Sequence, residues 1–345
     1  MILHCAFIGF GKSTTRYHLP YVLHRKDRWQ VAHIYRRRAK PEEQAPQYSH
    51  IHFTSDLDEV LNDPLVKLVV VCTHADSHFE YAKKALEAGK NVLVEKPFTP
   101  TLEEAKTLFA LANSKGLTVT PYQNRRFDSC FLTTKKVIES GKLGELVEIE
   151  SHFDNYRPLA ETNPGGPQNG EFYGLGVHTL DQIISLFGRP DHVSYDLRSL
   201  RNKANPDDTF EAQLFYGDMK AIVKTSHLVQ IDYPKFIVHG HKGSFVKYGI
   251  DQQETSLKAN IMPGEPGFGA DDSVGELVYV NEAGEMVREA VPLESGDYGR
   301  VYDALYDTLV NGQPNYVKET DVLTNMEILQ RGFEQPSPAT ITLIR

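Results

Sequence analysis

The chain has 345 residues, of which 40% are hydrophobic and 24% charged, a composition typical of a globular protein and a length that favours two domains. Its formal net charge of −9 argues against nucleic acid or a membrane surface as a partner, because proteins that bind either are usually basic. The three cysteines lie far apart, which argues against a disulfide framework or zinc site, and the lack of a leader or long apolar segment predicts a cytoplasmic protein.

The first third of the chain alternates between strand and helix patterns. Predicted strands cover residues 3–8, 30–35, 68–72, 91–95 and 117–120, and predicted helices cover residues 13–24, 56–62, 77–87 and 101–116. The segment 68–72 is uniformly apolar, as expected for a strand that is buried on both faces of a parallel sheet. The succession predicts an α/β fold, with a doubly wound parallel sheet of the Rossmann type over residues 1–122.

The pattern changes after residue 122. Val147, Ile149, Ser151 and Phe153 alternate with charged or polar residues, as in a strand with one covered face. Further strands are predicted at residues 210–216, 221–227 and 236–238 and on both sides of a turn at 281–284, and helices at 133–140, 175–187, 298–311 and 320–332. We therefore expect residues 123–345 to form an α+β domain with a large, mostly antiparallel sheet that binds substrate and mediates oligomerisation.

A glycine-rich loop connects the first strand to the first helix. Gly9 allows a tight turn, and Gly11 lets the backbone approach a pyrophosphate, as in the GxGxxG dinucleotide fingerprint. Thr14 replaces the third glycine, so we expect the helix to pack slightly further from the strand. A plain strand–turn–helix connection is the alternative, but the position at the start of a βαβ unit favours a dinucleotide. The predicted cofactor-binding residues of this loop are Gly9, Phe10, Gly11, Lys12, Ser13 and Thr14.

The end of the second strand predicts which dinucleotide is bound. NAD enzymes usually carry an acidic residue here that binds the ribose hydroxyls, whereas this chain reads Tyr35-Arg36-Arg37-Arg38. An arginine can hold a 2′-phosphate through two hydrogen bonds. We therefore predict NADP(H) as the preferred cofactor and NAD(H) as the second choice, with Tyr35, Arg36 and Arg37 at the site. A solvated basic turn is the alternative interpretation.

Several segments resemble one known family. Residues 71–74 read Val-Cys-Thr-His, His78 follows, and residues 85–97 read Ala-Leu-Glu-Ala-Gly-Lys-Asn-Val-Leu-Val-Glu-Lys-Pro. Together with residues 176–181 and 240–244, these segments resemble the Gfo/Idh/MocA oxidoreductases, which include glucose–fructose oxidoreductase, inositol dehydrogenase and many sugar or polyol dehydrogenases. The resemblance spans nearly the whole chain.

The resemblance implies roles for individual residues. Lys96 would stand beside nicotinamide and substrate and stabilise a developing alkoxide, with a cis bond before Pro97, and Arg126 would contact substrate. His178 matches the histidine that exchanges the hydroxyl proton, a role suited to its ordinary pKa near 6.5. The further cofactor-binding residues that it implies are Thr73, His74, His78, Glu95, Lys96, Pro97 and Asn124.

The chain departs from the family pattern four residues before His178. Many members carry an aspartate there that helps to bind substrate and to transfer the proton, whereas this chain has Gly174. Either Glu171 or Asp181 substitutes for it, or the substrate differs, or the chemistry is weakened. Asp181 is retained as a predicted substrate residue.

Two further features complete the predicted site. Tyr156 and Arg157 align with a segment of the family's substrate pocket, although stabilising the loop is an equally good role for them. The neighbouring histidines His239 and His241 favour structural or solvent-exposed roles over a metal site, so we predict no metal.

The predicted function is reversible, NADP-dependent oxidation of a secondary alcohol on a small sugar- or polyol-like molecule, by a homodimer or higher homo-oligomer. One alternative is an enzyme similar to the NAD-dependent glycoside hydrolases. Another is a nucleotide-binding regulatory protein with weak or lost catalysis. The missing aspartate slightly favours the regulatory protein, and the retained Lys96 and His178 oppose it.

Overall fold

The structure, a computed structural model, describes residues 1–159, 164–334 and 336–338. The part of the predicted second domain at residues 160–163, 335 and 339–345 therefore lies outside the described residues. The chain divides into two compact units. The first comprises Met1–Asn124, Thr255–Phe268 and Tyr298–Glu319, and the second comprises Arg125–Glu254, Gly269–Asp297 and Thr320–Arg345.

The first unit is built on a parallel sheet of six strands in the order β3-β2-β1-β4-β5-β6. The strands are β1 (Leu3–Ile8), β2 (Trp29–Tyr35), β3 (His52–Thr54), β4 (Val66–Val71), β5 (Asn91–Val94) and β6 (Val119–Pro121). The apolar runs of β1 and β4 are almost completely buried, as their lack of polar alternation requires. The order of strands reverses between β1 and β4, and ligands of such sheets bind beyond the carboxyl ends of the strands at this point.

Helices connect these parallel strands. They are α1 (Leu19–Leu23), α2 (Leu57–Leu61), α3 (His78–Glu87) and α4 (Leu102–Lys115). A capping box opens α4, since Thr101 Oγ1 accepts from the backbone N–H of Glu104 and the Glu104 carboxylate accepts from the backbone N–H of Thr101. Gly116, in the left-handed region at φ 64°, ends α4.

Two later segments of the chain also pack into the first unit. Tyr302, on α8 (Arg300–Asn311), is fully buried, and its backbone oxygen accepts a hydrogen bond from the Trp29 indole at 3.1 Å. Arg25 forms a two-pronged ion pair with Asp303, at 3.0 and 2.9 Å. A division at residue 122 alone therefore does not describe this unit, because α8 completes its core.

The second unit is built on an eight-stranded sheet in the order β14-β13-β12-β11-β7-β10-β9-β8. Among the described strands of this sheet, β7 and β10 pair in parallel and the other neighbours are antiparallel. The strands are β7 (Leu146–His152), β8 (His192–Arg198), β9 (Thr209–Tyr216), β10 (Met219–Ser226), β11 (Phe236–Gly240), β12 (Gly243–Lys247), β13 (Val274–Val280) and β14 (Met286–Pro292).

One face of this sheet is covered by helices. Inward residues such as Phe210, Val223 and Phe245 share one apolar core with Leu180 and Leu329 from two of the helices. The helices of the second unit are α5 (Ser129–Glu139), α6 (Val177–Phe187) and α9 (Glu319–Arg331), and α7 (Gln253–Lys258) runs along the chain from one unit into the other. The predicted fold class is confirmed: a parallel Rossmann sheet followed by a mostly antiparallel sheet with helices.

The elements β3, β8, β12 and α7 were not among the predicted ones. β3 has only three residues and β8 has no buried residue, so neither produces a clear hydrophobic pattern. No helix among the described residues is long and apolar enough to cross a membrane.

Candidate functional site

A cavity of about 820 Å³ lies at the carboxyl ends of β1, β2 and β4, within the first unit. Its volume is in the range of small-molecule sites, and its position is the point where the strand order reverses. The cavity is lined by Gly9, Phe10, Gly11, Lys12, Ser13, Tyr35, Arg36, Arg37, Arg38, Lys40, Cys72, Thr73, His74, Asp76, Ser77 and Tyr81. The structure thus brings together the glycine loop, the arginine segment and the Thr73–His74 pair that the sequence predicted separately.

Gly9 and Gly11 are glycines for different structural reasons. Gly9 has φ +110°, and a Cβ on it would lie 2.5 Å from the backbone oxygen of Cys72, so the fold itself requires glycine there. A Cβ on Gly11, in contrast, would meet no protein atom within 4 Å. The open space beside Gly11 is what a backbone that receives a bound pyrophosphate needs.

Thr14 is accommodated by a change in the helix. Residues Thr14–His18 form a π-helical turn before α1, and Thr14 Oγ1 donates to the Gly9 backbone oxygen at 2.8 Å. Thr14 is fully buried. The wider π turn gives room for a side chain where the fingerprint has its third glycine.

Glu95 is the centre of a buried hydrogen-bond cluster at the end of β5. Ser13 Oγ donates to it, His18 Nε2 lies 3.0 Å from Oε1, and the Lys96 backbone N–H donates to Oε2 at 3.0 Å. His18 Nδ1 in turn lies 2.8 Å from the Tyr302 hydroxyl. Burial alone would raise the pKa of Glu95, but the His18 hydrogen bond and the charges of His18 and Lys96 outweigh it, and the pKa falls to about 2.

Lys96 follows directly and is partly buried. The Lys96–Pro97 peptide bond is cis, as the resemblance implied. His78 lies behind this segment, fully buried, with Nδ1 2.8 Å from the Pro97 oxygen and Nε2 3.2 Å from the Thr73 oxygen. His78 is not among the residues that line the cavity. It connects the two strand-end segments that carry Thr73 and Lys96.

Of the other predicted cofactor residues, Thr73 and His74 line the cavity, whereas Thr14, Glu95, Lys96, Pro97 and Asn124 are not among its lining residues. Ser77 Oγ lies within hydrogen-bond distance of two acceptors, Thr73 Oγ1 and the His74 backbone oxygen, each at 2.9 Å. The His74 side chain is exposed. Asn124 is buried and opens a 3₁₀ turn. These residues have the hydrogen-bonding groups that a nucleotide requires.

The arginine segment contains an ion pair that the sequence did not reveal. Arg36 Nε and Nη2 donate to the two carboxylate oxygens of Glu43 at 2.7 and 3.0 Å. Arg37 and Arg38 are exposed. Burial is the main cause of the raised pKa of Tyr35, with its hydrogen bond to Tyr81 second. The arginine at the end of β2 is therefore paired with an acid seven residues further on, Glu43.

In the second unit, the predicted substrate residues Arg126 and Asp181 contact each other. Arg126 Nε and Nη2 donate to the Asp181 carboxylate at 2.7 and 2.8 Å, and Nη2 also donates to Asp321 at 3.2 Å. Burial raises the pKa of Asp181 despite the nearby arginine. His178 is buried near the start of the same helix, α6. Arg126 thus joins α6 to α9 through charge-assisted hydrogen bonds.

The space beside Gly174 is occupied by a carboxyl group. Gly174 lies in a π-helical turn, Phe172–Gly176, that leads into α6. A Cβ on Gly174 would lie 3.3 Å from Glu171 Oε2, and Glu171 Oε1 is 3.6 Å from His227 Nε2. Burial, with Arg201 and Arg157 nearby, lowers the pKa of His227 to about 4. Of the two acids considered as substitutes, Glu171 lies at the vacant position, and Asp181 is paired with Arg126.

Tyr156 and Arg157 lie on the loop after β7, beside His227. Tyr156 forms an isolated β-bridge with Leu228 and is half exposed. The Arg157 backbone N–H donates to the His227 oxygen at 2.8 Å, and its own oxygen accepts from Arg201 Nη1 at 2.9 Å. The structure therefore brings Tyr156 and Arg157 together with His227 and, through it, with Glu171.

Sequence reasoning missed His18, Glu43 and His227. Each of them contacts a partner that is distant in the sequence or lies in a turn without a recognisable sequence motif. No spacing rule would therefore have selected it. Within residues 1–159, 164–334 and 336–338, no group of three or more His, Cys, Asp or Glu side chains is arranged to hold a metal ion.

Comparison with known proteins identifies the family. One family model, described as the NAD-binding Rossmann fold of an oxidoreductase family, matches residues 3–123. A second, described as the C-terminal α/β domain of that family, matches residues 135–342. The chain belongs to the Gfo/Idh/MocA family of oxidoreductases. It is therefore an oxidoreductase with a Rossmann domain for a nicotinamide cofactor, and the cavity beside Gly11 fits such a dinucleotide.

Several Gfo/Idh/MocA relatives are similar over their full length. The chain is 83% identical over 345 residues, all of both chains, to the uncharacterized oxidoreductase YhhX of Escherichia coli. It is 32% identical over 332 residues to the scyllo-inositol 2-dehydrogenase (NADP(+)) IolW of Bacillus subtilis, which covers 95% of this chain and 92% of that one. A solved oxidoreductase from Bacillus cereus superposes with a TM-score of 0.95 at 50% identity, over 99% of each chain.

Proposed function

We propose that the protein is an NADP(H)-preferring oxidoreductase that interconverts a secondary alcohol and a carbonyl group on a small sugar- or polyol-like molecule. The observation that carries the proposal is the cavity beside Gly11, whose rim holds Arg36, Arg37 and Arg38. The relative IolW, named as an NADP(+)-dependent scyllo-inositol 2-dehydrogenase, supports both the cofactor and the substrate class.

The charge at the cavity rim favours a phosphorylated ribose. Arg36, Arg37, Arg38 and Lys40 line the cavity, and Glu43 forms an ion pair with Arg36. The remaining positive charge attracts a 2′-phosphate, which arginine can bind through two hydrogen bonds. NAD(H) remains the second cofactor in this proposal.

Parallel fluorescence titrations of the purified protein with NADPH and NADH test the cofactor assignment. We expect tighter binding of NADPH. Tighter binding of NADH would overturn the preference but leave a nicotinamide-dependent enzyme, and binding of neither nucleotide would contradict the proposed function as a whole.

In the proposed mechanism, the nicotinamide ring supplies the hydride donor or acceptor when bound. Lys96 hydrogen-bonds the reacting oxygen and stabilises negative charge on it. The Glu95 carboxylate accepts from the Lys96 backbone N–H and thereby holds the segment that carries this side chain. Ser13, which also donates to Glu95, links that segment to the glycine loop.

His178 exchanges the hydroxyl proton with the substrate, and Glu171 supplies the carboxylate that the chain lacks at Gly174. The support for Glu171 is its oxygen 3.3 Å from the position of a Gly174 Cβ. Tyr156, Arg157, Arg126 and Asp181 are proposed to shape the substrate pocket, the last two as one ion pair. A screen of sugars and polyols with either oxidised cofactor tests the substrate class.

The proposal also includes a cytoplasmic homodimer or higher homo-oligomer. One face of the second unit's sheet is covered by helices, and on the other face Val274 and Val280 are exposed next to charged residues. A second copy on that face would remove these side chains from water.

A further inference from the structure

The guanidinium of Arg36 is already engaged by a carboxylate. Both oxygens of Glu43 accept from Arg36, at 2.7 and 3.0 Å, and the two side chains are only 15% and 7% exposed. Such a two-pronged pair, mostly out of water, fixes the plane of the guanidinium. It also occupies the Nε–Nη2 edge of the guanidinium, one of the two edges through which an arginine can bind a phosphate.

Glu43 is itself held in place next to the cavity. It lies in the 3₁₀ turn Pro41–Gln44, and its Oε1 accepts from the Lys40 backbone N–H at 2.8 Å. Lys40 Nζ donates to the Phe10 backbone oxygen in the glycine loop at 2.5 Å. The Arg36 hydrogen bond is the largest cause of the lowered pKa of Glu43, so Glu43 carries its negative charge at neutral pH.

This negative charge acts on the two cofactors differently. A phosphate monoester carries a charge of about −1.5 to −2 near neutral pH. A 2′-phosphate at this rim must therefore compete with Glu43 for Arg36 and is repelled by its carboxylate, whereas a ribose with two hydroxyls is not. Arg37 and Arg38 form no ion pair within the described ranges and attract the phosphate without this competition.

We propose that Glu43 is a positioning residue that determines cofactor specificity: by holding Arg36, it limits the preference for a 2′-phosphate and keeps NAD(H) usable. The inference rests on the proposed function, since it requires that the cavity binds a nicotinamide dinucleotide. It assigns the size of the NADP(H) preference to one ion pair.

The test compares dissociation constants of NADPH and NADH, from nucleotide fluorescence, for the wild type, Glu43→Gln and Glu42→Gln. Glu42 is the matched control, because it is an exposed acid of the same turn and its change removes the same charge without touching Arg36. We expect Glu43→Gln to tighten NADPH binding about tenfold, the effect of one charge-assisted hydrogen bond gained, with NADH binding nearly unchanged. We expect Glu42→Gln to change neither constant measurably.

A double-variant cycle separates this effect from a general change in the fold. In the Arg36→Ala background, Glu43→Gln can no longer release a guanidinium, so any gain in NADPH affinity that remains measures direct repulsion by the carboxylate. The difference between the two backgrounds measures the part of the effect that acts through Arg36. The glutamine oxygen can still accept from Lys40, and melting curves by circular dichroism check each variant. If Glu43→Gln melts early, Glu43→Asp, which loosens the pair and keeps the charge, should shift the affinity ratio in the same direction.

Two outcomes would overturn the inference and leave the proposed function intact. They are an unchanged ratio of NADPH to NADH affinity in Glu43→Gln, and weaker NADPH binding in that variant. A wild type that binds neither nucleotide would overturn both proposals.

Discussion

At the scale of single residues, the two loop glycines allow fold and function to be separated. Gly9→Ala places a Cβ 2.5 Å from a backbone oxygen at φ +110°, and we expect a loss of roughly 1 to 3 kcal/mol of unfolding free energy from backbone strain alone. Gly11→Ala places its Cβ in open space, so stability should stay unchanged while nucleotide affinity falls.

Thermal melting and nucleotide titration of the two variants check this prediction. The matched substitution at the two positions makes each variant the control for the other. A Gly11→Ala protein that binds NADPH as the wild type does would show that the cofactor does not approach this residue.

The two proposed catalytic residues should affect turnover more than cofactor binding. We expect Lys96→Met and His178→Ala each to reduce kcat/KM by about 10²-fold or more, the usual contribution of such groups. The dissociation constant of NADPH should change much less in His178→Ala. Steady-state kinetics with a substrate found by the screen measures both effects, and full turnover in either variant would remove that residue from the mechanism.

Individual residues were predictable where a local motif carries them. The glycine loop and the capping box at Thr101 depend on neighbours in the sequence, whereas the cis bond at Pro97 was implied by the family resemblance. The structure contains all three. Glu43 was missed because no pattern marks a carboxylate in a short turn as the partner of Arg36. His18 was missed because its partner Glu95 lies 77 residues away.

At the scale of elements, the carboxylate of Glu95 connects the end of β5 to His18, which directly precedes α1. The pKa of Glu95 is lowered from 4.5 to about 2. A carboxylate with a lowered pKa stabilises the fold above its ordinary pKa, and this contribution is lost as the pH falls through the folded value. We therefore expect the unfolding free energy to decrease from about pH 4.5 towards pH 2, by up to about 3 kcal/mol.

Urea unfolding across this pH range measures the effect. In Glu95→Gln the slope between pH 4.5 and 2 should be shallower, whereas Glu80→Gln, a change of an exposed acid on α3, should keep the wild-type slope. Equal slopes in all three proteins would mean that Glu95 is not the group responsible.

Moving a carboxylate from position 171 to position 174, in the turn before α6, tests the proposed role of Glu171. Glu171→Gln should reduce kcat/KM by about 10-fold to 100-fold if the glutamate replaces the missing aspartate. Adding Gly174→Asp to that variant should restore part of the activity, because the two carboxyl positions are adjacent. Failure of the second change to restore activity, in a protein that melts normally, would separate Glu171 from catalysis.

The regular elements were predictable because buried strands and amphipathic helices have strong hydrophobic periods. The predicted ends of β1 match the observed ones, and the helix ended by Gly116 was located to within one residue. The π-helical turns at Thr14–His18 and Phe172–Gly176 were not predicted. The helices that contain these turns have an ordinary hydrophobic pattern, so the sequence does not reveal the widening. Its cause lies in the tertiary surroundings of Thr14 and Gly174.

At the scale of the whole molecule, the exposed sheet face of the second unit predicts self-association. We expect light scattering to give a multiple of the 38.9 kDa chain mass. Val278→Arg would place a positive charge on that face, between Val274 and Val280, and burying an unpaired charge opposes association. The variant should then have the mass of one chain, and an unchanged mass would exclude this face as the interface.

The return of α8 to the first unit has a consequence during synthesis. A ribosome that has made residues 1–124 has not yet supplied Tyr302, which packs on Trp29 and completes the contacts of His18. Although nascent chains usually fold from the N-terminus onward, the contacts of this unit can be complete only after residue 319 has been made. A protein shortened after residue 124 therefore lacks part of the core of its Rossmann unit, and gene fusions that borrow this unit must also carry the distant helix.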